Sequence, residues 1–290
     1  MNRKRRREAP LTEQRRRLIL ERLRTWGEVR TSELAGIFGV SPMTIRNDLN
    51  ALSGAGALKR THGGAVSNEP ISREPSYKDK ETQRIAEKIR IGAEAARELR
   101  DGMVVFIGNG TTTMQLIRQL PQLNRLVVFT NALNHAGALL DHEGVEVYVV
   151  GGYLRGVSYG MVGELARRAL AGVFFDAAFV GVNGIAVEQG YTLPSLEEAG
   201  VVAEVLGRSR RALVLADHSK FGVVTHARIA DIGGVDAVVT DAAPDPVFIE
   251  AFAESGVELK IAEGGENRRK KGGGSRQKQA AREVGNEEEN

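Results

Sequence analysis

The sequence predicts an α/β protein in two parts: a small helical module carrying a β wing, then a Rossmann-like parallel-sheet domain. Three observations predict this. Apolar residues recur at helical spacing through the first 66 positions, between capping residues and glycines that end helices. From residue 81 to about 263, apolar β-rich runs alternate with helical stretches, which calls for right-handed crossovers and a parallel sheet. Between the two, "SNEPISREPSYKDK" (67–80) is polar, contains Pro70 and Pro75, and reads as a linker.

Composition sets the bounds. The chain has 290 residues, room for two domains, and its 42% hydrophobic and 27% charged content is ordinary for a soluble globular protein. No apolar run approaches the roughly 18 residues of a membrane-spanning helix. Met1 opens a basic segment with no apolar leader behind it, so the expected location is the cytoplasm. Without cysteine there is no disulfide, thiol nucleophile or Cys-ligated zinc. The five histidines (62, 135, 142, 218 and 226) lack tight ligand spacing, so neither a metal nor a cofactor is expected.

Charge is unevenly spread. Residues 1–70 hold 14 Lys and Arg against 7 Asp and Glu, so the front carries +7 and the remainder −4 of a net +3. A basic front on a mildly acidic body points to a polyanionic partner for the front alone. The segments expected are a basic arm (1–10, with "RKRRR" a solvated run), a compact module (11–66), the linker (67–80), a second domain (81–263) and a disordered tail (264–290). That tail is rich in Gly and charge and has little to bury.

In the front module, Leu18, Ile19, Leu23 and Trp26 follow helical spacing, with Thr12 as N-cap and Gly27 as terminator. Thr31 or Ser32 starts a second helix carrying Leu34 and Phe38, closed by Gly39. Ser41 caps a third, with Pro42 at the first helical position, where no N–H is needed. Ile45, Leu49 and Leu52 then face inward, leaving Met43, Thr44, Arg46, Asn47 and Asn50 outward. One Arg, two Asn and a Thr at a positively polarised helix start suit base edges and phosphates. "ALKRTHGGAV" reads as two short strands around a Gly turn, a wing whose Lys59, Arg60 and His62 reach phosphates. The partner expected for this face, Ser41 included, is double-stranded DNA.

At these residues the sequence resembles the DeoR family of bacterial transcriptional regulators. "RLILERLRTWGEVRTSELAGIFGVSPMTIRNDLNALSGAGALKRTHGGAV" follows that family's winged helix-turn-helix signature, including its "VSxxTIRxDLxxL" helix and "GxLxRxHGGA" wing. Where the family usually has a second Arg, this chain has Asn47; Asn favours adenine over guanine, so the operator sequence is expected to differ from those of relatives.

In the second domain, "MVVFIGNGTTTMQLIRQL" (103–120) is a strand running through a Gly- and Thr-rich turn into a helix. Gly108 and Gly110 allow a sharp turn, and Asn109, Gly110, Thr111, Thr112 and Thr113 offer N–H groups and hydroxyls to an anion. No Lys follows in the P-loop pattern. "LVVFTNAL" ends at Thr130-Asn131 with Asn131 as N-cap, "VEVYVVGGYLRG" ends in Gly151-Gly152, and "ALVLADHSKFG" ends in Asp217 and Lys220. Four polar strand ends on one edge of a parallel sheet point to a pocket for a small anion.

The resemblance extends here, over about residues 10–245. "GTTT", "TN", "GG", "VGELA" and "DHSKFG" stand in the order of the sugar-sensing domain of DeoR-type regulators. That domain is similar in fold to ribose-5-phosphate isomerase and generally binds phosphorylated sugars. The resemblance implies phosphate on Gly110, Thr111, Thr112 and Thr113, with Lys220 neutralising charge. Asp217, Asn131, Gly151 and Gly152 would line the sugar side. Glu198 is a further candidate, although Val202 stands where the family commonly has a cation.

An isomerase fused to a DNA-binding module is the competing reading. Moving a proton between sugar carbons needs a positioned carboxylate base, and the isomerases carry Asp-Gly-Ala-Asp-Glu after one strand. Here "FVGVNGIAVEQG" (179–190) has "GVNG" instead. A purely architectural DNA binder would not need the pocket. The expectation is therefore a regulator, a repressor of carbohydrate-metabolism genes, acting as a dimer or tetramer and released from its operator by a phosphorylated sugar.

Overall fold

The computed structural model describes residues 11–68 and 74–262, and of residues 24–26 only the backbone. The basic arm, the tail and the Trp26 side chain lie outside the described residues.

The front module runs α1 (Thr12–Trp26), β1 (Glu28–Arg30), α2 (Thr31–Phe38), α3 (Pro42–Gly54), β2 (Lys59–Arg60) and β3 (Gly64–Val66). Ile19 and Leu23 of α1, Leu34 and Phe38 of α2, and Ile45, Leu49 and Leu52 of α3 meet in one core. Thr12 is the first helical residue rather than the cap: Leu11 precedes it, and no side chain caps this end. The wing has three strands in the order β1-β3-β2, one more than expected. β3 can lie against β1 because position 64 is glycine; a Cβ there would stand 1.9 Å from the Val29 carbonyl oxygen.

The stretch read as a linker ends early. Ser76 Oγ accepts from the Asp79 N–H while the Asp79 carboxylate accepts from the Ser76 N–H, a reciprocal cap that starts a helix before residue 80. Tyr77 is buried, its ring stacked on Tyr159 at 5.1 Å between centroids. The second domain then comprises α4 (Tyr77–Glu81), α5 (Ile85–Ala96), β4 (Val104–Ile107), α6 (Thr111–Ile117), β5 (Leu126–Thr130), α7 (Leu133–Leu139) and β6 (Val145–Val149). It continues through β7 (Tyr153–Arg155), β8 (Gly160–Val162), α8 (Glu164–Leu170), β9 (Ala177–Gly181), β10 (Gly184–Ala186) and β11 (Gly190–Leu193). It closes with α9 (Leu196–Leu206), β12 (Ala212–Leu215), β13 (Ala227–Ala230), β14 (Ala237–Thr240), α10 (Pro246–Glu254) and β15 (Glu258–Ile261).

The main sheet is parallel throughout, in the order β15-β14-β12-β9-β4-β5-β6. Side chains alternate between its faces: Val105 and Ile107 of β4 pack with Ile91 of α5 and Leu116 of α6. Phe106 packs on the other face with Leu170 of α8, Val201 of α9 and Phe252 of α10. The chain enters at β4, steps outward to β6, and returns on the opposite side at β9. The order therefore reverses between β4 and β9, and the crevice beyond the carboxyl ends of those two strands is where such sheets bind ligands.

Candidate functional site

The reading helix is held by a cap in front and an ion pair behind. Ser41 Oγ accepts the Thr44 N–H at 3.1 Å, with Pro42 at the first position. Met43, Arg46, Asn47 and Asn50 are exposed, and Thr44 is half-buried. Asp48, which sequence reasoning passed over, is buried and accepts from Arg15 Nε at 2.6 Å and Arg16 Nε at 3.1 Å, tying α3 to α1. Lys59 and His62 are exposed on the wing. Arg60 is half-buried, and one of its N–H groups is committed to the wing's own turn, Nη1 donating to the Gly64 carbonyl at 2.6 Å.

A cavity opens at the switch point. Gly108 to Thr112 line it from the end of β4, Val180 to Asn183 from the end of β9, and Asp217 and Lys220 from beyond β12. Pro75, Tyr77, Lys80, Gln83, Arg84 and Lys88 cover it, and Ser158, Leu193, Glu198 and Val202 close one side. Of the expected ligand residues, Asn109, Gly110, Thr111, Thr112, Asp217 and Lys220 are thus brought together. Gly110 has φ +154°, and a Cβ on it would meet Thr113 Oγ1 at 2.9 Å, so only glycine allows this turn. The first N–H groups of α6 have no intrahelical acceptor and remain available to a ligand.

The other expected residues sit behind the cavity or away from it. Thr113 is fully buried, its hydroxyl donating to the Gly110 carbonyl at 3.1 Å. Thr130 is fully buried, its hydroxyl accepting the Ala132 N–H. Asn131 caps no helix, since Ala132 holds that position. Its Oδ1 accepts the Asn109 N–H at 3.0 Å and its Nδ2 donates to Asn109 Oδ1 at 3.1 Å, so it fixes the cradle from outside. Gly151 and Gly152 lie past the end of β6, two strands from the crevice, where Gly152 packs against Val162 and Ala166.

Four cations face the cavity: Lys80, Arg84, Lys88 and Lys220. Only Lys220 was anticipated. The other three recur every fourth residue, a basic stripe visible in the sequence but split between a supposed linker and a helix. Burial pushes the Lys88 ammonium down to about 8, Lys220, Arg84 and Lys80 adding to the effect and Asp217 opposing it. Burial also lowers Lys80. Burial alone would raise Asp217, but Lys220, Arg84 and the Ser219 N–H hold it well below the usual carboxylate range. Glu198 is buried and engaged on three sides, accepting from Ser158 Oγ, from Arg155 Nη1 at 2.9 Å and from Asn109 Nδ2 at 3.2 Å. The cation beside it thus comes from β7, while Val202 only lines the wall. Both carboxylates of the cavity are committed to partners, an arrangement unlike that of a free general base.

His135 of α7 supports the floor. Its Nε2 lies 3.0 Å from the Gly110 carbonyl, which makes Nε2 the protonated nitrogen, and burial pushes the imidazole down to about 4. Among the described residues, no three His, Asp or Glu side chains stand together as a metal site.

A capped reading helix beside a basic wing, joined to a parallel-sheet domain with a cationic cavity, defines a ligand-sensing DNA-binding protein. The chain belongs to the DeoR family: a DeoR-like helix-turn-helix domain matches residues 15–71, and the DeoR C terminal sensor domain matches residues 83–242. It is 34% identical over 251 residues to the putative aga operon transcriptional repressor of Escherichia coli O157:H7, covering 86% of this chain and 93% of that one. It is 32% identical over 243 residues to the glycerol-3-phosphate regulon repressor of Escherichia coli (strain K12), covering 84% and 96%. The solved structure of ribose 5-phosphate isomerase A from Methanocaldococcus jannaschii matches 46% of this chain and 53% of its own, at 17% identity and a TM-score of 0.32. The protein is a DNA-binding transcriptional regulator. No helix among the described residues is long and apolar enough to cross a membrane.

Proposed function

We propose that this regulator is a cytoplasmic repressor of carbohydrate-metabolism genes whose cavity binds a phosphorylated sugar and whose occupancy releases operator DNA. The observation that carries this is the convergence of Lys80, Arg84, Lys88 and Lys220 with the Asn109–Thr112 turn on one crevice at the switch point. Four cations, Lys88 buried and the other three half-buried, beside backbone N–H groups suit a phosphate dianion and leave the walls near Leu193 and Val202 for the carbon skeleton. A relative named for a glycerol-3-phosphate regulon supports the same ligand class.

The exposed Met43, Arg46, Asn47 and Asn50 of α3, with Ser41 and Thr44 at its start, meet the bases and phosphates of the operator. Lys59 and His62 hold the backbone. A dimer or tetramer sets two such heads on a repeated site. Ligand that favours a misspaced arrangement weakens DNA binding, and DNA weakens ligand binding by the same factor. A thermal-shift screen tests the reading: glucose 6-phosphate, fructose 1-phosphate and glycerol 3-phosphate against the parent sugars and glycerol. A phosphate-dependent rise in Tm, absent in Lys220→Ala, is expected. Equal shifts with phosphorylated and free sugars would sink it.

A further inference from the structure

Arg84 stands between the two domains. Its backbone is left-handed at φ 49°, unusual for a non-glycine residue, and it immediately precedes α5. One end of its guanidinium, Nη2, pairs with Glu28 and lies 3.9 Å from Glu33 of α2. Glu28 opens β1 and is paired in register with Val66 of β3, which is paired in turn with Lys59 of β2. Arg84 therefore grips the root of the wing. The neighbouring donor on the same edge faces the cavity: Nε is 3.9 Å from Asp217 Oδ1, is buried, and has no hydrogen-bond partner. A buried, unmatched N–H on a planar fork is a group that a phosphate oxygen would satisfy.

We propose that Arg84 is the coupling residue, and that an anion in the cavity and Glu28 of the wing compete for its guanidinium. This rests on the reading of the cavity as a phosphate site. When Arg84 turns to the ligand, Glu28 keeps a nearly buried carboxylate without its partner, which is unfavourable, so the head leaves its seat on the sensor. The wing then moves without any ligand contact to the head itself. The same competition runs backwards: a head held against the sensor withholds Arg84 and weakens the ligand.

The test is a double-mutant cycle on the full chain, with inorganic phosphate as titrant in calorimetry. Glu28→Gln should bind phosphate at least about threefold tighter than wild type, a modest coupling for a contacting pair. In an Arg84→Met background the same change should give no gain. Glu28→Asp keeps the charge and shortens the reach; it should also tighten binding, which separates the competition from a general loss of negative charge and stands in if Glu28→Gln fails to fold. Equal phosphate affinity for wild type and both Glu28 variants, or an equal gain with Met at position 84, overturns the coupling while leaving the cavity reading intact. A wild-type chain that binds no phosphate, or binds it as well after Lys220→Ala, overturns the cavity reading and the coupling with it.

Discussion

The reading face of α3 takes its exposed groups from one helix of 13 residues, whereas the cavity gathers side chains from segments scattered between Pro75 and Lys220. Both face negative charge, yet they distribute risk differently. On α3, the packing residues Ile45, Leu49 and Leu52 alternate with the contact residues, so contact and fold are separable position by position. In the cavity most charged groups are partly or wholly buried and held by one another, so removing one disturbs the rest. The two sites should therefore respond to substitution in different ways.

The largest contrast is in the cores. The head has one small cluster, and Leu49 is fully buried at its centre. Leu49→Ala should cost about 2–5 kcal/mol, enough to unfold a small head while the sensor, with a core on each face of its sheet, still binds phosphate. Urea denaturation should then show two transitions where wild type shows closely spaced ones. A single transition shifted as a whole would mean that the head and sensor fold as one unit.

Next comes Arg46→Ala, expected to weaken operator binding by about 1–3 kcal/mol if the side chain contacts a base. Stability should be unchanged, since Arg46 is exposed and its neighbours do the packing. Operator affinity equal to wild type in a mobility-shift titration would show that this face of the helix points elsewhere.

The difference between the sites also decides what the sequence could reveal. Cap, periodicity and wing are local patterns, so the apolar core of the head and the exposed Met43, Arg46, Asn47 and Asn50 follow from spacing. What was missed there is long-range: Asp48 finds Arg15 and Arg16 from another helix, and β1 joins the wing across an intervening pair of helices. In the sensor, the strand ends were legible but not the strand order. β4 borders the switch point, so its turn lines the cavity; β5 is one strand away, so Asn131 bonds to that turn from outside; β6 is two away, so Gly151 and Gly152 do not line the cavity. Lys80 escaped because a capped helix was hidden inside a proline-bearing stretch, and Arg84 and Lys88 because local spacing does not show that the start of α5 covers the cavity.

A smaller effect separates the domains by pH. His135 is fully buried and its imidazole sits at about 4, against 6.5 for a free one. The unfolded chain therefore takes up a proton between those values that the folded chain refuses. Its contribution is complete above pH 6.5 and is lost as pH falls toward 4. Between pH 6.5 and 5 this amounts to about 2 kcal/mol of sensor stability. His135→Gln, which keeps an N–H for the Gly110 carbonyl but does not titrate, should lack that share of the loss. Parallel declines in the two proteins would place the acid sensitivity elsewhere.

The smallest and most specific effect concerns Lys88 and has opposite signs for folding and for binding. In the empty sensor its ammonium loses its proton at about 8, because burial and neighbouring cations disfavour the charge. The unfolded side chain holds its proton to about 10.4. So the empty sensor gains stability as pH rises from 8 to that value. An anion in the cavity favours the ammonium, so binding is strongest where Lys88 is already charged and weakens as pH rises past 8. A phosphate ester has lost its second proton by then, having a pKa near 6, so the ligand's own charge is constant over this range. Affinity should fall by up to about tenfold, or about 1.4 kcal/mol, per pH unit. Operator binding through Arg46 should not share this dependence, since a guanidinium stays charged throughout. Titrating glucose 6-phosphate at pH 7.5, 8.5 and 9.5 by calorimetry, in buffers of different ionisation enthalpy, measures the proton taken up. Lys88→Met should bind more weakly at pH 7.5 and show a flatter profile. A wild-type affinity that does not change between pH 7.5 and 9.5 would remove Lys88 from the ligand's charge balance and leave Lys220 and Arg84 to carry it.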